Sequence, residues 1–523
     1  MITEKQSIEE CPAQDTETIC CVGIDISKAS HVAGFVSQSM LGSQHFERCP
    51  TFSFENSRTG FEALLTKMKD YAPLERCIVL TEKTGHYGLP LEQFLQQHKI
   101  TLYKIHVQQR QTKRKNDHQD ALYLANKLYN QAVLGTQEDA LNRIHRVLPP
   151  SSEAAKLHPL VQHRAEMTGS ITVCRNRLTA ICDELFPELT QIFVDPNKTA
   201  SLNIRLRFPT PSAVAAASAD ELWECRANTV PGRAALLRLQ GLARTSIGNV
   251  EENRVTGLCR EQTHLIALLR LLQAQLDTIE TEIETIIAGS REGKILASIP
   301  GISPMQAAII LASIGTIGNF ERASLLRGYC GWSPQEAQSG TSLDIVSLTK
   351  GGSRLLKATI YMIAWACVRH DTEFKAVYER LIPIKCRYDK RTGTYRGRNK
   401  VVGRICGQII GVIYVLLRQD YDLLAALEPG QEPPDPTLYS RDHHRRSFGK
   451  EPLPEPAQLP EIEADTKKSE QVRMLLAHTP GLRVKDLVQA TGLNHASVSR
   501  IRRRWLDENL FNKQHSAKTN NDI

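Results

Sequence analysis

Apolar and polar positions along the first 150 residues follow two periods. Short runs of β-branched and small apolar residues predict strands at 20–26, 31–36, 51–54, 76–81 and 100–105. Apolar residues at helical spacing predict helices at 61–69 and 91–98 and from Asp117 onward. Three strands followed by alternating helices and strands predict a mixed sheet with helices on its faces.

Four acidic residues interrupt this pattern. Asp25 lies near the end of an apolar strand, and Glu82 follows the strand at 76–81. A carboxylate in such a strand is costly unless it is paired, hydrogen-bonded or metal-bound, and ligands of open sheets bind at the carboxyl ends of strands. Asp117 and Asp120 are three residues apart, which places both on one helix face.

These acids have two interpretations. Acids at a helix N-terminus complement the helix dipole without any further role. Alternatively, the four carboxylates converge, and divalent cations between them offset their repulsion. Oxygen ligands favour Mg²⁺ or Mn²⁺, and two such ions are a device of phosphoryl transfer. Nearby cations form either a solvated face or a contact for a nucleic-acid backbone: Lys104, His106, Arg110, Lys113, Arg114 and Lys115.

Length and composition set limits on the class of protein. A chain of 523 residues is too long for one core and suggests about three domains. Its net charge of +8 suits a polyanionic partner without requiring one. The 13 cysteines show no zinc spacing, which predicts reduced thiols in a cytoplasmic protein. The N-terminus has no signal-peptide pattern, and the apolar run 405–417 is too short to span a bilayer, so no membrane partner is expected.

Between 251 and 288 apolar residues recur every seven positions. Leu258, Leu265, Leu272, Ile279 and Ile286 form this repeat, and a second apolar position follows four residues after the later members. Such a seam predicts a coiled coil, within the chain or between chains. Of these uses, we favour homo-oligomerisation.

A second compact unit is predicted over 295–425. Glycine turns on both sides of the apolar stretch 305–314 resemble a helix-hairpin-helix, whose turn amides can hold phosphate. Ser339 precedes Gly340 and is either a turn residue or a nucleophile, with Lys350 and Arg354 as candidates to stabilise charge. Further on, tyrosines interleave with cations that include Arg391, Arg396 and Arg398, a pattern that favours nucleic-acid contact.

The C-terminal part reads as a linker followed by a small helical domain. Residues 428–465 are polar and rich in proline, which is typical of a linker. Two helices joined by a glycine turn over 466–512 predict either a plain helical hairpin or a DNA-binding helix-turn-helix. In the second case, the DNA contacts come from Asn494, Ser497, Arg500, Arg502 and Arg503.

With these residues assembled, the chain resembles the DEDD-type transposases of the insertion-sequence 110 class, also called bridge-RNA-guided recombinases. The matching segments are VGIDISK at 22–28, EKTGHYG at 82–88, KNDHQDA at 115–121, IPGISPMQAAIILASIG at 299–315 and GWSPQEAQSG at 331–340, followed by TKGGSRLLK at 349–357. They cover about residues 20–425 in the family's order. Lys83 and Asn116 depart from the family pattern, but neither replaces one of the four acids.

The resemblance implies an RNase H/RuvC-like domain whose acids bind Mg²⁺, and a mostly helical second domain with a serine nucleophile. Asp25, Glu82, Asp117 and Asp120 take the place of the family's acids, and Ser339 that of its serine. The implied partners are element-end and target DNA and a non-coding guide RNA. The expected domains are a tail (1–18), a RuvC-like domain (19–150), a helical linker with coiled coil (151–290), a serine domain (291–427), the linker (428–465), the helix-turn-helix (466–512) and a tail (513–523).

Two other functions agree with the residues alone. One is a RuvC-like, metal-dependent, structure-specific DNA nuclease in which Ser339 is only structural. The other is a non-catalytic DNA-binding regulator that acts through the C-terminal helices.

Overall fold

The computed structural model divides the chain into two compact units, 1–439 and 440–523. It describes residues 19–82, 85–105, 116–138, 143–228, 230–248, 250–339, 343–348, 351–370, 372–428, 430–442, 468–478, 484–494, 496–502 and 505. The predicted tails 1–18 and 513–523 and most of the predicted linker therefore lie outside the described residues.

The first unit begins with a six-stranded mixed sheet. Its strands are β1 (Cys20–Asp25), β2 (Ser30–Val36), β3 (Thr51–Glu55), β4 (Cys77–Glu82), β5 (Thr101–Ile105) and β6 (His145–Val147). Their spatial order is β3-β2-β1-β4-β5-β6. Strands β1, β4 and β5 run parallel, while β2, β3 and β6 pair antiparallel. The predicted mixed α/β sheet is confirmed, and β6 is an addition.

Helices cover both faces of this sheet. Successive side chains of β1 point to opposite faces, so neighbouring residues of β1 pack against different helices. The helices are α1 (Gln38–Ser43), α2 (Arg58–Lys69), α3 (Leu89–Gln97) and α4 (Asp117–Leu128). Val22 and Ile24 pack in one cluster with residues of α2 and α3. Cys21 packs in another cluster with residues of α4, where burial raises the pKa of its thiol and keeps it neutral.

Two long helices form the middle of the chain. They are α5 (Ser152–Leu185) and α10 (Glu252–Gly289), separated by α6 (Thr199–Arg207), α7 (Pro211–Ala216), α8 (Ala219–Glu224) and α9 (Arg233–Arg244). Helix α5 contains Pro159 and continues past it without interruption.

The heptad seam of α10 has a partner inside the chain. Leu269 of the seam is fully buried and packs with Ile171 and Leu178 of α5 and Leu202 of α6, as does Ile266, which lies outside the repeat. The seam residues Leu265, Leu272 and Leu276 pack against the same cluster. At the far end of α10, Ile283 and Ile287 pack into the core of the following region. The seam is therefore used for packing within the chain along much of its length, the use that we did not favour.

The rest of the first unit is mostly helical, as predicted. Its helices are α11 (Arg291–Ser298), α12 (Pro304–Ile314), α13 (Ala323–Tyr329), α14 (Arg354–Arg369), α15 (Glu373–Lys385) and α16 (Asn399–Ala425). Gly301 and Gly315 have positive φ at the two ends of the loop-and-helix segment around α12. This geometry matches the predicted glycine turns around an apolar helix.

Two hairpins not predicted as strands interrupt these helices. One consists of β7 (Pro334–Ser339) and β8 (Leu343–Leu348), and the other of β9 (Arg387–Asp389) and β10 (Thr394–Arg396).

Helix α16 contains the apolar run predicted to be too short for a membrane. It is 27 residues long and, among the described helices, it alone is long and apolar enough to cross a bilayer. One face, with Ile405, Ile409 and Ile413, is buried in the same cluster as Ile360 and Ile363 of α14. That burial is typical of a core helix in a globular unit.

The second unit contains α17 (Lys468–His478), α18 (Val484–Thr491) and helical residues 496–502. Gly492 has a φ of 65° in the turn after α18, where a glycine turn was predicted. Val472, Leu476, Leu487 and Val498 form a small core, so the helices pack as a unit of their own.

Candidate functional site

Asp25 and Glu82 are neighbours at the carboxyl ends of two parallel strands. In the β1–β4 register, Ile24 lies beside Thr81, and Asp25 and Glu82 are the next residue on each strand. Neighbouring strands are about 4.8 Å apart, so the two carboxylates leave the sheet side by side. Both residues are half-buried.

The same two side chains face α4. Successive side chains of a strand alternate between faces, so Asp25 shares a face with Gly23, and Glu82 shares one with Leu80. A Cβ on Gly23 would lie 2.7 Å from the carbonyl carbon of Leu124, and Leu80 packs in the same cluster as Leu124. The strand acids therefore project on the side of the sheet covered by the helix that carries Asp117 and Asp120.

Helix α4 crosses the sheet from β3 towards β1. His118 Nδ1 lies 2.8 Å from Thr51 Oγ1 on β3, while Leu122 and Leu124 contact β2 and β1. Asn116 caps the helix, because its side-chain oxygen accepts a hydrogen bond from the amide of His118 at 3.1 Å. The departure from the family pattern at this position therefore keeps a good capping residue.

The two helix acids differ in their surroundings. Asp120 is half-buried and directly precedes Ala121, which contacts both β1 and β2. Asp117 is exposed at the first position of the helix. Asp120 is thus the helix acid that lies nearer to the sheet.

The four acids share one side of the sheet but do not form a closed metal site. Among the described residues, no group of three or more His, Cys, Asp or Glu side chains is placed to hold a metal ion. The donor set itself, carboxylate oxygens at adjacent strand ends and a helix start, has the chemistry that Mg²⁺ and Mn²⁺ prefer. Asp25, Glu82, Asp117 and Asp120 are the carboxylates of this side of the sheet that would hold such an ion.

Lys104 does not approach these acids. It lies one residue before Ile105, which is beside Glu82, and therefore points to the opposite face. There its Nζ forms an ion pair with Glu92 Oε2 of α3 at 2.6 Å. The interpretation of Lys104 as part of the basic approach to the acids is wrong, whereas Lys113, Arg114 and Lys115 lie outside the described residues.

Ser339 lies at the tip of the first hairpin. It is the last residue of β7 and pairs with Leu343, next to the connection at 340–342, which lies outside the described residues. The nucleophile prediction is therefore located on a strand end, and its chemistry stays a prediction.

The base of this hairpin is held firmly against α14. Trp332 is buried, and its indole nitrogen donates to the carbonyl of Lys357 at 3.2 Å. Gly352 has a φ of 95°, and a Cβ there would lie 2.6 Å from the carbonyl oxygen of Tyr329. Only glycine fits this close approach. Arg354 is exposed at the first turn of α14, and Lys350 lies outside the described residues.

The other predicted nucleic-acid contacts are divided between the two units. Arg391, Arg396 and Arg398 are exposed around the β9–β10 hairpin. In the second unit, the Asn494 side chain accepts a hydrogen bond from the amide of Ser497 at 2.9 Å, which makes it a helix cap. Arg500 is exposed, Arg502 is half-buried, and Arg503 lies outside the described residues.

Sequence reasoning missed a polar link between the loops beyond the two strand acids. Asn56 Nδ2 donates to the carbonyl of Lys28 at 3.2 Å and to that of Tyr87 at 3.4 Å. Lys28 follows Asp25, and Tyr87 follows Glu82, so Asn56 joins the two loops. Nothing in the local sequence around Asn56 signals this role, because both contacts are to distant segments.

Two family models match the chain. One, a transposase model for DEDD proteins of IS110 elements, matches residues 22–187. The other, described as the transposase IS116/IS110/IS902 family, matches residues 293–379. The first match contains Asp25, Glu82, Asp117 and Asp120, and the second contains Ser339.

Curated relatives belong to the same kind of element. The insertion element IS110 43.6 kDa protein of Streptomyces coelicolor is 24% identical over 270 residues, which cover 50% of this chain and 63% of that protein. A mini-circle protein for IS117 from the same organism is 27% identical over 293 residues, or 51% and 64% of the two chains. The transposase for insertion sequence element IS1111A of Coxiella burnetii is 24% identical over 141 residues, or 26% and 36%. The chain thus spans less than two thirds of the length of these relatives.

Proposed function

The two matched regions identify the chain as a member of the insertion-sequence 110 class of DEDD transposases, and on that premise we propose that it cuts and rejoins DNA at the ends of a mobile element. The observation that carries the proposal is the register that puts Asp25 and Glu82 side by side, on the sheet face covered by α4. In phosphoryl transfer, such a group of carboxylates has the role of binding the divalent cations that take part in catalysis.

The acids act as ligands in this proposal. Asp25, Glu82, Asp117 and Asp120 would hold a divalent cation, which would polarise a phosphoryl oxygen and stabilise the charge at a cleaved phosphodiester. The contribution of the protein is to fix the carboxylates: two on rigid parallel strands and two on a helix held against those strands.

Ser339 acts as the nucleophile. Its hydroxyl oxygen loses its proton and forms a new ester bond to phosphorus, while the bond from phosphorus to one deoxyribose oxygen breaks. The departing deoxyribose oxygen takes up a proton and leaves as a free hydroxyl. One phosphoester replaces another, so the DNA can be rejoined without an external energy source. The base of the Ser339 hairpin is anchored through Trp332, which suits a residue that must keep a fixed position during the reaction.

Specificity and assembly complete the proposal. A guide RNA from the element pairs with target and donor DNA, and the C-terminal helices add a DNA contact through Arg500 and the start of residues 496–502. The protein acts as a cytoplasmic homo-oligomer. Because the seam of α10 is covered within the chain along much of its length, we assign the oligomer contact to its exposed side, which includes Leu268 and Leu271.

A trapping assay tests the chemistry. Wild-type protein, Ser339→Ala and Asp120→Ala are incubated with element-end DNA and Mg²⁺, with and without RNA transcribed from the flank of the element. Ser347→Ala, on the partner strand of the same hairpin, is the matched control. A covalent protein–DNA adduct is expected for wild type and Ser347→Ala only, and dependence of the adduct on the RNA tests guidance.

Other outcomes favour the other two functions. Strand cleavage without an adduct, unchanged by Ser339→Ala, identifies a metal-dependent nuclease. DNA binding without cleavage, unchanged by Asp25→Ala, identifies a regulator.

A further inference from the structure

A dense patch of positive charge surrounds the second hairpin. We define the basic ribbon as residues 385–404, which comprise β9, β10 and the start of α16. It contains one acid, Asp389, and eight cations: Lys385, Arg387, Lys390, Arg391, Arg396, Arg398, Lys400 and Arg404. All eight cations are exposed, so the charge is presented to solvent.

One of these arginines stabilises the hairpin itself. Arg396 Nη2 lies 2.6 Å from Asp389 Oδ2, and Asp389 Oδ1 accepts a hydrogen bond from the amide of Arg391 at 3.0 Å. Asp389 thereby fixes the turn, in which Gly393 has a φ of 65°. In the described part of the chain, Arg387, Lys390 and the guanidinium of Arg391 have no carboxylate partner. These three cations are available to a ligand.

The two faces of the ribbon differ in chemistry. Tyr388 and Tyr395 are opposite each other, with ring centroids 5.1 Å apart in an edge-to-face arrangement. Arg387 and Arg396 form the adjacent opposite pair and therefore project from the other face. A short two-stranded ribbon with arginines on one face is an element that the wide major groove of a B-DNA duplex admits. The deep, narrow major groove of an RNA duplex does not admit it.

The basic ribbon is attached to the same helix as the hairpin of Ser339. Asn399 Oδ1, in the ribbon, accepts a hydrogen bond from the hydroxyl of Tyr361 on α14 at 3.3 Å. The Tyr361 ring lies parallel to that of Trp332, with centroids 6.2 Å apart, and Trp332 is two residues before β7. The two hairpins thus share one rigid support.

We propose that the basic ribbon docks on the phosphate backbone of a DNA duplex and holds it beside the hairpin of Ser339. Within this arrangement Arg387, Lys390 and Arg391 neutralise phosphates, while Asp389 and Arg396 keep the turn in shape. The inference rests on the proposed function only in that the bound duplex contains the strand attacked by Ser339.

The test is the salt dependence of binding by the full chain. The triple variant Arg387→Ala/Lys390→Ala/Arg391→Ala is compared with wild type, both in a Ser339→Ala background that prevents cleavage. Anisotropy with DNA duplex, RNA duplex and single-stranded DNA is followed from 50 to 200 mM KCl. For duplex DNA, the slope of log K against log salt is expected to fall by about 2–3, or about 0.9 for each lost phosphate contact.

Two control variants distinguish the loss of specific phosphate contacts from a general loss of positive charge or of folding. Lys69→Ala/Arg238→Ala/Arg244→Ala removes three exposed cations that lie outside the ribbon. Its slope of log K against log salt is expected to differ from that of wild type by less than about one. Arg387→Lys/Arg391→Lys, with Lys390 intact, keeps the charge and is expected to retain the wild-type slope.

The duplex arms distinguish the source of the phosphates: a slope change on DNA duplex supports the proposal, whereas a change confined to RNA duplex overturns it and identifies RNA as the ligand. An unchanged slope on both duplexes, or an effect on single strands only, overturns the proposal. Adduct formation by the protein with native Ser339 is measured separately. Its absence, with the slope change intact, counts against the proposed chemistry and not against the ribbon.

Discussion

Gly23 of β1 and Ala125 of α4 are in backbone contact. A Cβ on Gly23 would overlap the backbone nitrogen of Ala125, and a Cβ on Gly34 of β2 would lie 2.7 Å from the nitrogen of Leu122. The helix that carries Asp117 and Asp120 can approach the strand of Asp25 this closely because both positions are glycine.

Gly23→Ala is therefore expected to push α4 away from the sheet. We expect a loss of about 1–3 kcal/mol in the free energy of unfolding, as for an overpacked core, together with loss of DNA cleavage. Urea unfolding and the trapping assay measure the two effects. Gly42→Ala is the control, since a Cβ there meets nothing within 4 Å, and alanine in α1 is expected to be neutral or mildly stabilising. Wild-type unfolding of Gly23→Ala would contradict the close approach.

Asp25→Asn and Glu82→Gln test the strand acids without a change of shape. Each variant is expected to lower the cleavage rate more than about a hundredfold, because several kcal/mol of charge stabilisation are lost. A second measurement is the rise of the melting temperature with added Mg²⁺, expected for wild type through linkage and absent in both variants.

The control for this pair is Asp70→Asn, which removes an exposed acid of the same domain that pairs with Lys67 at 3.1 Å. It is expected to cleave DNA at the wild-type rate. Equal Mg²⁺ stabilisation of Asp25→Asn and wild type would show that Asp25 is not a ligand.

The strands and the placement of their acids could be predicted because they depend on local pattern. β-branched runs define β1 and β4, and the period of two decides that Val22 and Asp25 point to opposite faces. Periodicity alone does not distinguish between two roles for Asp117 and Asp120, namely complementing the helix dipole and binding a divalent cation. Only the family resemblance favoured the second role.

What could not be predicted depends on partners distant in sequence. Lys104 was assigned to the wrong face because its pairing with Glu92 of α3 requires the fold. The full length of α5 could not be predicted because it contains Pro159, and proline usually breaks a helix. The heptad pattern of α10 does not indicate whether its packing partner is α5 or another chain. Strands β9 and β10 have three residues each, which is too short for a period of two to be recognised.

The Lys104–Glu92 pair is expected to matter for stability and not for catalysis. Its side chains are only 19% and 11% exposed, so Lys104→Met leaves a buried carboxylate without its cation. We expect a loss of about 3 kcal/mol in urea unfolding, with unchanged DNA binding at equal folded concentration. Lys104→Met/Glu92→Leu is expected to recover most of the stability. If Lys104→Met unfolds normally and weakens DNA binding, the placement on the α3 face is wrong.

The packing of α10 on α5 predicts which of the apolar side chains of α10 contribute most to the free energy of unfolding. Ile266 is fully buried, whereas Leu271 of the same helix is 54% exposed. Ile266→Ala is expected to cost about 2–5 kcal/mol, and Leu271→Ala to stay within about 0.5 kcal/mol. Urea unfolding measures stability, and light scattering measures assembly, which Leu271→Ala is expected to weaken because Leu271 lies on the side assigned to the oligomer contact. Dissociation of an oligomer by Ile266→Ala at unchanged stability would show instead that the buried face of α10 joins two chains.

His31 makes stability depend on pH. It is fully buried between Phe54 and Phe61, with ring centroids 5.3 and 6.2 Å away, and its Nδ1 accepts a hydrogen bond from the amide of Ser27 at 3.2 Å. Burial lowers the pKa of His31 below its usual value of 6.5, against an opposing hydrogen bond with Asn56. Below pH 6.5, His31 therefore binds a proton in the unfolded chain at pH values where it is still neutral in the folded chain.

The contribution of His31 to stability is accordingly complete above pH 6.5 and is lost as the pH falls towards the lowered pKa of the folded state. The slope reaches at most about 1.4 kcal/mol per pH unit for one proton. Urea unfolding between pH 7.5 and 5.5 is expected to show a shallower slope for His31→Gln than for wild type. His45→Gln, which changes an exposed side chain, is expected to keep the wild-type slope. A His31→Gln profile parallel to that of wild type would mean that His31 stays exposed to protons in the folded chain.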